Sequence, residues 1–319
     1  MRSSPARRLK RPPPARPPLS TSTPAHQRLF VVGRGNLGRT LAGAFKAAGR
    51  RAELRPARRG IPGLVRSLES SPDAIVFLAV PDDALLPIAE RLAGAGRRIP
   101  QTVAFVHLSG ALPLGALEPL RARHSIGSFH PLQSFPEPRS PAALGSIVVA
   151  VDATSTLLRR RLTSLARTLG ARPKRVGDGE RVLYHAAAVF ASNYVDVLLA
   201  KAVQLLETTG WSEKEATSGL LALTEGVLAS IRKRGAAAAL TGPVRRGDVK
   251  TIERHLSALA ELAGSARSRR EPPLVDLYRM LGLIALEIAV ETGIEPAAAE
   301  RTRRALTPKA AATRRRRRA

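Results

Sequence analysis

Arg28-Leu-Phe-Val-Val32-Gly33-Arg34-Gly35-Asn36-Leu37-Gly38 is the stretch whose reading decides the fold. Its short apolar run is what a strand buried on both faces requires. Three glycines spaced G-x-G-x-x-G follow at once. A helical pattern then puts Leu41, Phe45 and Ala48 on one face before Gly49 ends it. The glycine spacing alone is a weak signal; the strand before it and the helix after it supply its physical meaning. Gly33 permits a tight turn, Gly35 lets a pyrophosphate approach the backbone, and Gly38 lets helix and strand pack closely. The helix N-terminus adds unpaired N–H groups and the positive end of its dipole. Gly33, Arg34, Gly35, Asn36, Leu37 and Gly38 are therefore expected to hold a dinucleotide, against the plainer reading of a glycine-rich turn without a ligand.

Outward from this stretch, Ala52 to Arg55 reads as a second strand and residues 73–80 as a third, stopped by Pro81. Thr102 to Leu108, Ser125 to Phe129 and Ser146 to Val151 read as further strands, with Arg172 to Val176 as a candidate last one. Helical segments lie between most of them. Such alternation means α/β architecture, a Rossmann-type, doubly wound parallel sheet. After about residue 178 the strands stop, and helices are expected over 179–209, 213–234, 248–263 and 273–292, the third capped by Asp248. The expected organisation is a Rossmann dinucleotide-binding domain at 28–178 and an all-helical C-terminal domain for substrate binding and dimerisation at 179–295. Disordered basic tails are expected at 1–27 and 296–319.

Composition narrows the function classes. A chain of 319 residues exceeds the usual size of one domain. It has no cysteine, which excludes disulfides, thiolate metal sites and cysteine nucleophiles. No paired carboxylates, HExxH or other metal-ligand spacing occurs, so no metal is expected. The formal net charge is +27, and residues 1–27 and 301–319 carry fifteen basic residues and no acid, more than half of the excess. These ends lack apolar periodicity, which is the composition of disorder. They could bind a polyanion through counterion release, but they lack interleaved aromatics for base stacking. Nucleic-acid binding is thus expected only non-specifically, through the tails. The basic N-terminus has no apolar run behind it, unlike a secretory signal. The longest apolar stretch, 182–206, contains His185, Asn193, Asp196 and Lys201 and makes a poor membrane span. A cytoplasmic protein is expected.

NAD binders place an acid at the tip of the second strand. Here Glu53 lies within the strand, and the tip reads Arg55-Pro-Ala-Arg58-Arg59. Arg58 and Arg59 suit a 2′-phosphate, which guanidinium grips in a bidentate fork, so NADP is expected ahead of NAD. Ligands of open parallel sheets lie beyond the C-terminal strand ends. Val80, Pro81, His107 and Ser109 are accordingly expected along the cofactor. His130 is expected to give a proton to a carbonyl or imine, with the ordinary histidine pKa of about 6.5, and Gln133 to contact substrate. On the long helix, Ser192 and Asp196 project within about 20° of His185 and Asn193 within about 80°. Polar groups on a helix apolar nearly all round need partners. His185 and Asn193 read as catalytic, Ser192 as substrate-binding and Asp196 as an interhelical contact. In Thr241-Gly-Pro-Val-Arg-Arg-Gly-Asp248, Thr241, Gly242 and Arg246 read as substrate contacts, with Arg246 clamping a carboxylate, and Asp248 reads as structural.

Several stretches occur in a telling order: Ala79-Val-Pro-Asp82, His107-Leu-Ser-Gly110, Phe129-His-Pro-Leu-Gln-Ser-Phe135, Tyr184-His-Ala-Ala-Ala, Ala191-Ser-Asn-Tyr194 and Thr241 to Asp248. Together they resemble an uncharacterised bacterial family that joins a Rossmann-like domain to a helical C-terminal domain of unknown function. That family is similar to pyrroline-5-carboxylate reductase and to the 6-phosphogluconate-dehydrogenase-like oxidoreductases. The resemblance covers about residues 28–295 and implies the fold, a nucleotide cofactor and a homodimer through the helical domain. It supplies no reaction. The leading expectation is an NADP-dependent oxidoreductase acting on a small, carboxylate-bearing keto or imino acid. A non-catalytic nucleotide-binding sensor or scaffold comes second, and nucleic-acid binding through the tails third.

Overall fold

A computed structural model describes residues 27–265 and 274–308. The expectation of disordered ends falls on residues 1–26 and 309–319, outside those described. Gln27, at the edge of the first expected tail, is buried. Two compact units divide the chain between Val197 and Leu198.

The first unit holds β1 (Leu29–Val32), β2 (Ala52–Arg55), β3 (Ile75–Leu78), β4 (Ala104–His107), β5 (Ile126–Pro131), β6 (Val148–Ala153) and β7 (Arg172–Arg175). They form one sheet in the order β2-β1-β3-β4-β5-β6-β7. Between them run α1 (Asn36–Ala47), α2 (Ala57–Glu69), α3 (Asp82–Ala93), α4 (Glu118–Arg121) and α5 (Thr156–Thr168). Every residue of β1 and β3 is buried, because successive side chains enter opposite faces and both faces are covered. Leu29, Val31 and Phe77 join Phe45 of α1 and Leu162 of α5 in one core. Phe30, Val32 and Leu78 join Leu64 of α2 and Leu85 of α3 in the other. The sheet grows to one side of β1 through β2 and to the other through β3, so its crevice lies at the carboxyl ends of β1 and β3.

One expectation is corrected. β6 runs antiparallel to β5, pairing Pro131 with Val149 and Gly127 with Ala153, and β7 follows β6. The link 132–147 contains only the 3₁₀ turn Pro141–Leu144. A parallel return needs a crossover along the full strand length, usually a helix, whereas this loop re-enters at the edge it left.

Beyond β7 lie α6 (Arg181–Ala191), α7 (Asn193–Glu207), α8 (Glu213–Arg234), α9 (Pro243–Arg246), α10 (Val249–Ser265), α11 (Leu274–Glu291) and α12 (Pro296–Leu306). The single helix expected over 179–209 is broken at Ser192, where φ −128° and ψ −77° leave the helical region. By length and composition alone, Asp178–Glu207 is apolar enough to cross a membrane. The core of the second unit contains Val244, Ile252, Leu256, Val275, Leu286 and Leu306. Asp248 caps α10 as expected, accepting from Thr251 N at 3.1 Å and from its hydroxyl at 2.7 Å.

Helix α12 corrects the expected tail at 296–319. Glu295 accepts from the backbone of Ala297 and Ala298, Pro296 occupies the first turn, and Thr302 and Leu306 are fully buried. Leu306 lies so close to Gly282 of α11 that a Cβ there would approach it within 2.7 Å. The buried stripe of Ala299, Thr302 and Leu306 contains one large apolar residue on a helix with three arginines, too thin a pattern to read as periodic.

Candidate functional site

The glycine loop joins β1 to α1, and its three glycines do three different things. Gly33 has φ +121°, and a Cβ there would lie 1.9 Å from the Ala79 carbonyl oxygen. A Cβ on Gly38 would lie 2.1 Å from the Gly33 oxygen. Both glycines therefore let the loop press against the end of β3. Gly35 has ordinary extended angles, φ −67° and ψ 177°, and a Cβ on it would meet nothing within 4 Å. The loop is open there, beside a helix N-terminus that has neither a side-chain cap nor an acid in its first turn. That is the cradle a pyrophosphate needs.

Around the loop, Val80 lies against Gly33, Pro81 and Arg34 are exposed, and Leu37 packs on the core. The Asn36 side chain is committed elsewhere, donating to the Phe135 and Pro136 oxygens at 3.0 and 2.8 Å. It ties the loop after β5 to the glycine loop. Within β2, Glu53 is held by Arg55 at 2.6 Å and Arg28 at 3.2 Å. Arg58 and Arg59 lie exposed in the first turn of α2, which has no acid.

A second group of residues meets at a pocket of about 420 Å³. His130, Gln133, His185, Ser192 and Asn193 all line it, so five of the expected site residues come together. Tyr184 joins them, and its role is not legible in the sequence. Its hydroxyl lies 2.8 Å from His130 Nδ1, the two rings edge to face at 5.6 Å. The His185 ring lies 6.3 Å from that of His130. Gly110 makes this approach possible: a Cβ there would stand 2.8 Å from both His130 Nε2 and His185 Nδ1. His185 Nδ1 is buried and has no protein hydrogen-bond partner. Ser192, at the helix break, has its single hydroxyl hydrogen shared between Ala188 O at 2.7 Å and Asn193 Oδ1 at 2.9 Å. The break turns Ser192 and Asn193 into the pocket and leaves Asp196 out of its lining, so a straight helical wheel places them for the wrong reason.

Burial, the like charge of His185 and the Arg181 guanidinium push His130 down to about 4. An ordinary histidine pKa is thus corrected: this imidazole is neutral near pH 7. Burial raises the Tyr184 phenol to about 12. Arg181 is a second residue that sequence reasoning passes over. It is fully buried, with its guanidinium on the Ser128 hydroxyl, the Val176 oxygen at 3.4 Å and the Ser109 oxygen at 3.5 Å, and its Nε 3.4 Å from Asp178. One arginine thereby joins the middle of β5 and the residues just beyond β4 and β7 to the start of α6. The only hint in the sequence is a cation heading an apolar helix.

His107 and Ser109 lie at and just beyond the end of β4. His107 is the last residue of β4, fully buried, with neither ring nitrogen hydrogen-bonded, and burial with Arg181 and His130 nearby takes it to about 3. The Ser109 hydroxyl donates to Asp82 at 3.0 Å and accepts from the backbone of Ala111 and Leu112, which shapes the turn. Thr241, Gly242 and Arg246 belong to the second unit. Thr241 and Arg246 are exposed there, and Gly242 takes φ +95° ahead of α9.

Residues 147–285 match the model of a domain of unknown function (DUF2520). No curated protein matches the chain. Among solved structures, a Bacteroides fragilis protein provisionally assigned as an NADP oxidoreductase is 23% identical, over 82% of this chain and 99% of that one, with a TM-score of 0.65. A Thermotoga maritima protein is also 23% identical, over 83% of this chain and 99% of that one, at 0.61. The pyrroline carboxylate reductase of Plasmodium falciparum, with NADP bound, is 14% identical over 88% and 100%, at 0.50. These likenesses show the fold: a Rossmann-like sheet with a helical C-terminal part.

Proposed function

We propose that the chain is an NADP-dependent oxidoreductase acting on a small carbonyl or imine compound, a keto or imino acid in the first instance. The observation that carries this reading is the 2.8 Å Tyr184–His130 couple on the wall of a pocket in the same unit as the glycine loop. The open backbone at Gly35 and the uncapped start of α1 would hold the pyrophosphate, and Arg58 and Arg59 the 2′-phosphate. NADP, which the pyrroline carboxylate reductase neighbour binds, fits this donor set better than NAD, because Glu53 is already paired with two arginines. A bound reduced nicotinamide supplies the hydride.

The chain's own residues then handle the proton. Near neutral pH the His130 imidazole carries one N–H. When Tyr184 donates to Nδ1, the proton stands on Nε2; when Nδ1 donates to Tyr184, the phenol hydrogen is released. Either arrangement offers one polar hydrogen to a substrate oxygen or nitrogen, as a neutral imidazole does when it polarises a carbonyl. His185 Nδ1 is a second contact, and Asn193 keeps its amide N–H₂ because Ser192 engages its oxygen. The buried Arg181 charge favours negative charge developing on substrate oxygen.

Val182, Leu183 and Phe190 of α6 are 71%, 78% and 68% exposed. Exposed apolar side chains of this kind support a homodimer in which a second copy covers them.

The test separates the glycines. NADPH titration followed by fluorescence should show tighter binding than NADH. Gly35→Val should lose about 10²-fold in affinity with an unchanged melting temperature, since the angles suit valine and only ligand space is filled. Gly33→Ala should instead cost about 3 kcal/mol of stability, because its Cβ meets the Ala79 carbonyl. Normal NADPH binding by Gly35→Val would overturn the cofactor reading. Binding without turnover across a panel of keto acids, ketones and imines would favour the nucleotide sensor.

A further inference from the structure

A second concave surface lies at the sheet edge opposite β2, walled by α5 and β7 and enclosing about 630 Å³. On α5, Arg160, Thr163, Ser164 and Arg167 recur at the helical spacing of one face, while Leu158, Leu162 and Leu165 turn into the core. Arg159 of α5 joins them, and β7 contributes Lys174 and Arg175. Five cations and two hydroxyls thus line the groove, and no acid does. The one acid paired with any of them is Asp152, 3.5 Å from Arg175, and Arg181 also draws on its charge. Among the described residues, Arg159, Arg160, Arg167 and Lys174 have no ion pair.

The plainest reason for charge at a sheet edge is to stop edges pairing with other chains. It accounts for Lys174 on β7. It does not account for three arginines on a helix facing the same hollow as two cations on the strand. Like charges gathered in a concave surface repel one another, and the low-dielectric walls focus their field on whatever anion enters. Guanidinium forks match phosphate oxygens, and Thr163 and Ser164 add neutral donors. The volume is that of a small-molecule site, and no aromatic lines it to stack a nucleic-acid base. We infer that this groove binds a small polyphosphorylated anion, a nucleoside triphosphate or inorganic polyphosphate, at a site separate from the glycine loop.

Calorimetric titration of the full chain with inorganic tripolyphosphate and with ATP, each with NADPH in excess, tests this. Both should bind, and Arg160→Ala/Arg167→Ala/Lys174→Ala should weaken both by about 10-fold or more, with affinity falling as salt rises. NADPH affinity and the melting temperature should not change. Arg167→Glu, at an exposed position, gives the same readout should the triple variant fold poorly. ATP binding tighter than tripolyphosphate assigns the site to a nucleotide, and equal binding assigns it to the phosphate chain alone. The inference fails if wild type binds neither, or if the variants bind as well as wild type, the anion then being held by the basic ends or the glycine loop. It also fails if a duplex oligonucleotide binds more tightly than both through the same residues, which would make the groove a nucleic-acid surface.

Discussion

The glycine loop and the histidine pocket lie in one compact unit, yet they are built on opposite terms. The loop is eleven consecutive residues from Arg28 to Gly38, and its chemistry belongs to the backbone: a turn, an open approach and a helix start. The pocket draws on Gly110, His130, Tyr184 and His185, which come from three separate segments, and its chemistry belongs to side chains. The loop needs its own backbone geometry and a close fit against the end of β3. The pocket needs the sheet, Arg181 and the break at Ser192 all in place. One site can therefore be damaged without the other.

The largest expected effect comes from dividing them at the chemistry. Tyr184→Phe and His130→Ala should each lower turnover by about 10²–10⁴-fold, measured as single-turnover hydride transfer, while NADPH affinity stays within about twofold of wild type. Loss of cofactor binding in either variant would show the two sites to be one, and full activity in both would remove the proton couple from the reaction.

A smaller effect divides them by pH. The folded values of His107 and His130 are depressed to about 3 and about 4 from 6.5. Below pH 6.5 the unfolded chain binds more protons than the folded one, so stability falls as pH drops from 6.5 toward these values. Each histidine should cost about 2 kcal/mol by about pH 5 relative to neutral pH. His107→Leu should remove its own share, measured by urea unfolding at both pH values. An identical pH dependence in the variant would mean that His107 is protonated as readily in the folded chain as in the unfolded one.

The smallest effect lies on the loop side. Arg58→Ala/Arg59→Ala should reduce the preference for NADPH over NADH by about 10-fold, with no change in turnover at saturating cofactor. An unchanged preference would move the 2′-phosphate contact to Arg34 or remove it.

Legibility followed the same division. Apolar runs, glycine spacing and the Asp248 cap are local, so β1, the loop, α1 and the start of α10 could be read directly. His130, His185 and Asn193 could be named as polar residues after a strand or on an apolar helix. Their neutrality, the Tyr184 contact and the dependence on Gly110 could not, because each depends on residues far apart in sequence. The full burial of His107 at the end of β4 was likewise not legible, because it depends on what packs around the strand.

By itself, then, the sequence determined the β1–glycine loop–α1 unit, the alternation that makes a layered sheet, and the change to helices after residue 178. These depend on the period of apolar residues and on the backbone freedom of glycine, both properties of short segments. Only the tertiary structure decided the reversed direction of β6 and β7, the break at Ser192, the burial of α12, and the meeting of His130, Tyr184 and His185. Those rest on which surfaces pack together and on how desolvation and the buried Arg181 charge set each group's protonation, and no short segment contains that information.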